Sequence, residues 1–194
     1  MKTPEIILRP AHQGDTPLIA QAVAIAIGSE EALFDYCGDD YLNVLRAIAS
    51  ADATQYSWRF ALVAECDGRA VGAVVGYDGA RLKELREGTF AIVRDMVGRV
   101  PDIADETEAG EYYLDSLCVL PQHRKMGIAT RLIKTLYDKI FAEGHTRLGL
   151  IVDFNNPSAE QLYTQIGFKR VGQRIFLGHK MWHLVLEQCI IHNS

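Results

Sequence analysis

The sequence predicts a single α/β domain, a mixed central sheet flanked by helices, and three observations carry that expectation. Leu117–Thr130 has the order of an apolar strand, a tight basic loop and the first turn of a helix. Phe60–Glu65 and Ala70–Tyr77 are strand-like runs joined by Asp67-Gly68, a dipeptide suited to a two-residue hairpin. Apolar residues then recur at helical period from Ile128 (Leu132, Leu136, Ile140, with Ala129, Ile133, Tyr137 and Phe141 beside them), and Leu148–Val152 follows as a continuous apolar run of strand length.

The remaining elements follow in order. Glu5–Arg9 predicts a first strand. Asp15–Ile27 predicts a helix with Leu18, Ile19, Ala22, Val23 and Ala26 on one side, and Tyr41–Ala49 a second. Gly79–Gly110 holds a helix, Ala80–Val100, and an acidic loop from Pro101. Gly144 ends the helix that starts at Ile128. Asn156 suits an N-cap and Pro157 the first helical position of a short helix that stops near Gly167. Phe168–Arg174 and His179–Glu187 close the chain as strands. No repeat, low-complexity stretch or linker divides residues 1–194.

Composition narrows the function classes. A chain of 194 residues is long enough for a sizeable core. No apolar run approaches the ~20 residues that span a bilayer. The start, Met-Lys-Thr-Pro-Glu, lacks the hydrophobic segment of a signal peptide, so a cytoplasmic protein away from membranes is expected. Cys37, Cys66, Cys118 and Cys189 make no metal-ligand spacing, so no metal is expected. A net charge of −5 argues against non-specific nucleic-acid binding.

Against that acidic balance, residues 116–137 contain no Asp or Glu but hold Arg124, Lys125, Arg131 and Lys134. Arg124, Gly127 and Ala129 give the spacing Arg-x-x-Gly-x-Ala at a helix start. The first amides of a helix have no intrahelical partner, and the helix dipole adds about half a positive charge there. Gly127 carries no Cβ, so a phosphate can approach the main chain. The loop has the chemistry of a pyrophosphate site, although neither standard Gly-rich phosphate fingerprint is present.

Some 40 residues after this comes Asn156-x-x-Ala159-x-x-Leu162-Tyr163-x-x-x-Gly167-Phe168. With both motifs in this order, the chain resembles the GNAT superfamily of N-acetyltransferases, strongly over about residues 112–172 and more loosely over 5–78. The resemblance implies that acetyl-CoA, the co-substrate, lies where strands Tyr112–Val119 and Arg147–Val152 splay apart. It implies that the amides of Lys125, Met126, Gly127, Ile128, Ala129 and Thr130, beside Arg124, hold the pyrophosphate. Main-chain groups of Leu117, Cys118 and Val119 would pair with the pantetheine arm, and the amide near Val119 would face the thioester carbonyl. Asn156 would hydrogen-bond the arm, and Tyr163 would protonate the leaving thiolate. Short domains of this family pass from the third to the fourth strand by a brief turn, whereas this chain inserts Gly79–Gly110.

The residues support blander roles as well. Tyr163 sits between Leu162 and Phe168, as a packing residue would, and Asn156 serves equally as a helix cap. His123 reads as a solvated loop residue and Cys118 as a small buried hydrophobe. Some relatives place a Glu on the fifth strand in the phase of Ile151. That position is apolar here, so Asp115 and Glu111 at the fourth strand, or a water chain, are the candidates for the catalytic base, and Asp115 reads equally as an exposed strand residue. Residues 28–57 hold six acids and 101–116 another six. In the resembling family these segments border the acceptor, so an amine acceptor, small molecule or peptide, is expected. Glu30, Glu31, Asp105 and Glu106 are the acids expected at its pocket. A homodimer fits the sequence, and a domain that binds acyl-CoA without turnover is the alternative.

Overall fold

The computed structural model describes residues 5–188; Met1–Pro4 and Cys189 lie outside that range. Its strands are β1 (Ile6–Pro10), β2 (Ala61–Cys66), β3 (Arg69–Asp78), β4 (Tyr112–Val119), β5 (Arg147–Asp153), β6 (Lys169–Phe176) and β7 (His179–Glu187). Its α-helices are α1 (Thr16–Ile27), α2 (Glu30–Cys37), α3 (Tyr41–Ser50), α4 (Leu82–Val97), α5 (Ile128–Ala142) and α6 (Pro157–Ile166). The strands form one sheet in the order β1-β2-β3-β4-β5-β7-β6. Among the described residues only β4 and β5 pair in parallel.

Local chemistry explains most boundaries. Asp67 and Gly68 have φ of 49° and 79°, the left-handed pair that a two-residue hairpin needs between Cys66 and Arg69. The Asn156 side chain accepts from Ala159 N at 3.2 Å, with Pro157 next, and so starts α6. Two expectations need correction. Gly98, at φ 81°, caps α4 at Val97, and a 3₁₀ turn over Gly79–Arg81 delays its start, so the helix is shorter than Ala80–Val100. Helix α2 was not foreseen. Ser29 caps it by accepting from Ala32 N at 3.1 Å, and only Leu33, Tyr36 and Cys37 turn inward, too few positions to display a period.

Two cores sandwich the sheet. Helix α5 lays Leu132, Ile133, Leu136 and Ile140 against Val74, Leu114, Leu148 and Leu150 on one face. On the other face Leu18, Ile19 and Ala22 of α1 meet Val63, Ala73, Val75 and Cys118. Beyond α1, residues of α2, α3 and α4 pack together around Tyr36, Leu45, Ile48 and Val93. Through that cluster α4 holds the loop 51–57 in place. Thr89 Oγ1 accepts from Gln55 N at 3.1 Å. Gly88 approaches so closely that a Cβ there would lie 2.0 Å from Ala53 O.

That contact makes a test. In an exposed helix, Gly→Ala stabilises by up to ~1 kcal/mol. Gly88→Ala should instead destabilise by ~1–3 kcal/mol, the usual cost of overpacking, seen as a lower urea midpoint with an unchanged slope.

Candidate active site

Strands β4 and β5 pair only at Tyr112 with Leu148 and Tyr113 with Gly149. Beyond those two pairs β4 runs on to Val119 and β5 to Asp153 without bonding each other. Leu120 N donates to Val71 O at 2.8 Å, so by strand alternation Cys118 also bonds toward β3. Leu117 and Val119 therefore turn their N–H and C=O groups into the gap. Cys118, expected to pair with the cofactor arm, faces the wrong way, and its thiol is buried against the α1 layer.

The loop that leaves β4 runs through a 3₁₀ turn, Pro121–His123, to Lys125 (φ 62°) and Gly127 (φ 74°), both left-handed. Arg124 folds back, its Nε donating to Val119 O at 3.1 Å. Among the described residues, the amides from Lys125 to Thr130 donate to no backbone carbonyl, and Arg131 N is the first to do so, to Gly127 O. A run of free amides at a dipole-positive helix end is an anion cradle. A Cβ at Gly127 would meet nothing within 4 Å, so the main chain there is open on that side. His123 is half-buried with Nδ1 unpartnered, not a solvated loop residue.

A cavity of about 520 Å³ continues the β4–β5 gap to the opposite side. Tyr163, Asn156, Asp115, Leu117 and Ile151 all line it. Tyr163 stands on α6 with its ring edge-on to Phe168, centroids 5.7 Å apart. Among the described residues its hydroxyl has no hydrogen-bond partner. Burial alone pushes the phenol up to about 12. Asn156 uses Oδ1 for Ala159 N and Ser158 Oγ, which leaves its amide NH₂ for a ligand.

Asp115 reaches the cavity because of a bulge. Along β3 the register advances one residue, Val75 to Gly76, while on β4 it advances two, Ser116 to Leu114. Asp115 is the extra residue, and a bulge re-aims side chains of this kind. The Ser116 hydroxyl donates to Asp115 Oδ1 at 2.7 Å. Burial, reinforced by the Glu106 charge, pushes the Asp115 carboxyl up to about 7.

Behind Asp115 lies a polar network that the sequence did not disclose. Gln55 Nε2 donates to Glu106 Oε1 at 2.8 Å and to Tyr77 OH at 3.1 Å, and Tyr77 OH donates to Glu106 Oε1 at 3.0 Å. Arg86 pairs with Glu106 and, at 2.6 Å, with Asp105. Tyr36 and Tyr56 join hydroxyls at 2.9 Å. Glu106 is 3% exposed and lines the cavity. The other acids expected there do not: Glu30 and Glu31 face solvent on the first turn of α2, and Asp105 is 51% exposed. Glu111 is also displaced from the cavity. It sits under Gly149, bound to His183 Nε2 at 2.9 Å and Thr107 Oγ1 at 2.7 Å. Burial works to raise its carboxyl, but those bonds outweigh it and hold it below the ordinary range.

This geometry agrees with the comparisons. The model of the acetyltransferase (GNAT) family matches residues 31–168. The chain belongs to that family and is an acetyl-CoA-dependent acyltransferase. A crystal structure of an acetyltransferase is similar at 30% identity and a TM-score of 0.76, covering 93% of this chain and 98% of its own. An N-acetyltransferase from Staphylococcus aureus Mu50 shares the fold at 22% identity and a TM-score of 0.76, covering 93% and 100%. A putative acetyltransferase from Salmonella typhimurium, solved with its cofactor acetyl-CoA, does so at 16% identity and a TM-score of 0.60, covering 94% of each chain. Among curated proteins no significant match was found. No single helix among the described residues is long and apolar enough to cross a membrane.

Two outcomes are expected. Gly127→Val should weaken acetyl-CoA binding by at least ~10-fold in calorimetry. Gly144→Val, which also places a side chain at a left-handed glycine (φ 95°) with open space beyond, should leave binding unchanged. The second concerns Asp115. Its carboxyl rises from 3.8 unfolded to about 7 folded, so the folded state holds the proton more tightly. Stability is then lost as pH rises from about 4 through 7. Asp115→Asn should melt higher than the parent at pH 8, with the gap closing toward pH 4 in thermal scans.

Proposed function

We propose that the protein transfers the acetyl group of acetyl-CoA to a primary amine by direct attack through a tetrahedral intermediate. The observation that supports this most is one cavity with a free phenol on α6, a high-pKa carboxyl on the β4 bulge, and unpaired β4 main chain between them. Residues Lys125 to Thr130 hold the pyrophosphate through their amides, with Arg124 beside them. Leu117 and Val119 pair with the pantetheine arm as a strand would, and the Asn156 amide completes that contact. Leu117, which lines the cavity with Tyr163 and Asp115, turns its N–H to the thioester oxygen and stabilises the oxyanion as it forms.

The amine must lose its proton before or during attack, and Asp115 accepts it. A carboxyl near 7 is matched to that work, because it is half ionised at neutral pH yet a far better base than an ordinary aspartate. The carbon–nitrogen bond forms, the carbon–sulfur bond breaks, and the electron pair leaves on sulfur. Tyr163 meets that charge. A phenol at about 12 is a weak acid toward a thiol of ordinary pKa about 8.5, so full transfer in isolation is uphill. Its larger contribution is a hydrogen bond to the nascent thiolate, whose own basicity the same apolar walls raise. The inserted Gly79–Gly110 supplies Glu106 and Arg86 and so builds part of the acceptor side.

Thiol release with acetyl-CoA and a panel of amines tests this reading. Tyr163→Phe should lower kcat by about 10²- to 10⁴-fold, with acetyl-CoA affinity little changed. Activity as kcat/KM should rise through about pH 7 in the parent protein, as Asp115 ionises. Acetyl-CoA binding without thiol release for any amine would instead support an acyl-CoA sensor. Absence of binding would sink both readings.

A further inference from the structure

Two phenols that line the cavity, Tyr113 and Tyr163, have hydroxyls with no hydrogen-bond partner among the described residues. Acyl transfer as proposed uses Tyr163 and leaves Tyr113 without a role. Tyr113 is 3% exposed. It pairs with Gly149 at the point where β4 and β5 begin to part. Its ring is fixed from behind: Tyr77 meets it edge-on, centroids 5.7 Å apart, and Leu82, Leu85 and Ile151 complete the packing. Tyr77 is itself tied through its hydroxyl to Glu106 and Gln55. A buried hydroxyl left unpaired is costly, and native proteins pair nearly all of them. Phenylalanine would serve the packing without that cost.

The surrounding charges select what pairs with this hydroxyl. Asp115 lies two residues along β4, Glu106 lines the same cavity, and Glu111 sits under Gly149. Burial first, and then the charges of Asp115, Glu106 and Glu111, raise the Tyr113 phenol well above its ordinary value, so it stays neutral. Arg86, shared by Asp105 and Glu106, and His183, bonded to Glu111, offset part of the negative charge, but the acids still outnumber the bases. A carbonyl or carboxylate oxygen brought to the hydroxyl would face these acids, whereas an N–H donor with positive charge is favoured there. An arriving ammonium also favours their ionised forms. A phenol oxygen has lone pairs to accept such an N–H.

We propose that Tyr113 is an acceptor-binding residue, whose hydroxyl accepts one N–H of the incoming amine and holds the nitrogen beside Asp115. This rests on the acyl-transfer reading and adds a contact to it, a group that binds the nitrogen without taking its proton. A primary ammonium carries three N–H bonds. One proton passes to Asp115, and the bond to Tyr113 persists while the freed lone pair attacks. Because the contact is to the nitrogen itself, it serves primary amines whatever their side groups.

Tyr113→Phe removes the hydroxyl and keeps the ring against Tyr77. The probes are butylamine, 2-phenylethylamine and glycinamide, which share only the primary amine. Each is titrated by calorimetry into the intact protein saturated with CoA, and each is assayed by thiol release with acetyl-CoA. In the variant, Kd and KM should rise for all three by about 10- to 100-fold, the scale of one hydrogen bond to a charged group. The value of kcat, the acetyl-CoA affinity and the melting temperature should change little; a packing role would instead lower the melting temperature and leave KM in place. Amine Kd and KM unmoved in the variant, a loss confined to glycinamide with its carbonyl, or no binding of any of the three to the parent protein would each overturn the inference. Amine binding that weakens in the variant while the parent releases no thiol would support the nitrogen contact and count against acyl transfer. Turnover in the parent with an unmoved KM in the variant would do the reverse.

Discussion

The parting of β4 from β5 after Tyr113 and Gly149 is the constraint on which the rest of the structure depends. A parallel pair inside a sheet normally satisfies every main-chain group along its length. Here the outer halves of two central strands leave theirs unpaired. The separation is held on each side by packed elements. Strand β4 is bonded to β3 along its length, and β5 to β7, while α5 and α6 sit over one face. An extended ligand arm can complete the ladder at Leu117 and Val119. In the proposed reading, the helix that follows β4 then offers its free amides to the anionic end of the same molecule.

The bulge at Asp115 is a second irregularity of β4. Without it, Asp115 and Ser116 would point to opposite faces, as successive strand residues do. With it, both reach the cavity, and the carboxyl comes to lie against the buried Glu106 network. The cost is a carboxyl held in an environment that resists its ionisation. Such stored unfavourable electrostatics is common where a group must take up a proton near neutral pH.

Much of this was legible in the sequence where chemistry is local. The Asp67-Gly68 turn, the α5 stripe, and the Asn156-Pro157 start of α6 each depend on residues within a few positions of one another, whereas the strand Tyr112–Val119 came from the family resemblance. The cradle at Gly127 was readable for the same reason. What the sequence did not show depends on distant partners. Gln55, Tyr77, Arg86 and Glu106 come from four separate elements, and no spacing reveals that they meet. The acid-rich runs pointed to the acceptor side. Folding then turned Glu30 and Glu31 outward and buried Glu106 at the cavity and Glu111 beneath Gly149. Cys118 failed for a subtler reason, since a strand's inward and outward bonding alternates and sequence alone does not fix its phase.

Amide hydrogen exchange with and without acetyl-CoA tests the central claim most directly, because it reads the main-chain groups themselves. Acetyl-CoA should protect the amides of Leu117 and Val119 and those from Met126 to Thr130. Cys118 and Leu120, already directed at β3, should exchange at the same rate in both states. Saturating acetyl-CoA that leaves Leu117 and Val119 unprotected, or that protects only residues outside the β4–β5 gap, would contradict the account.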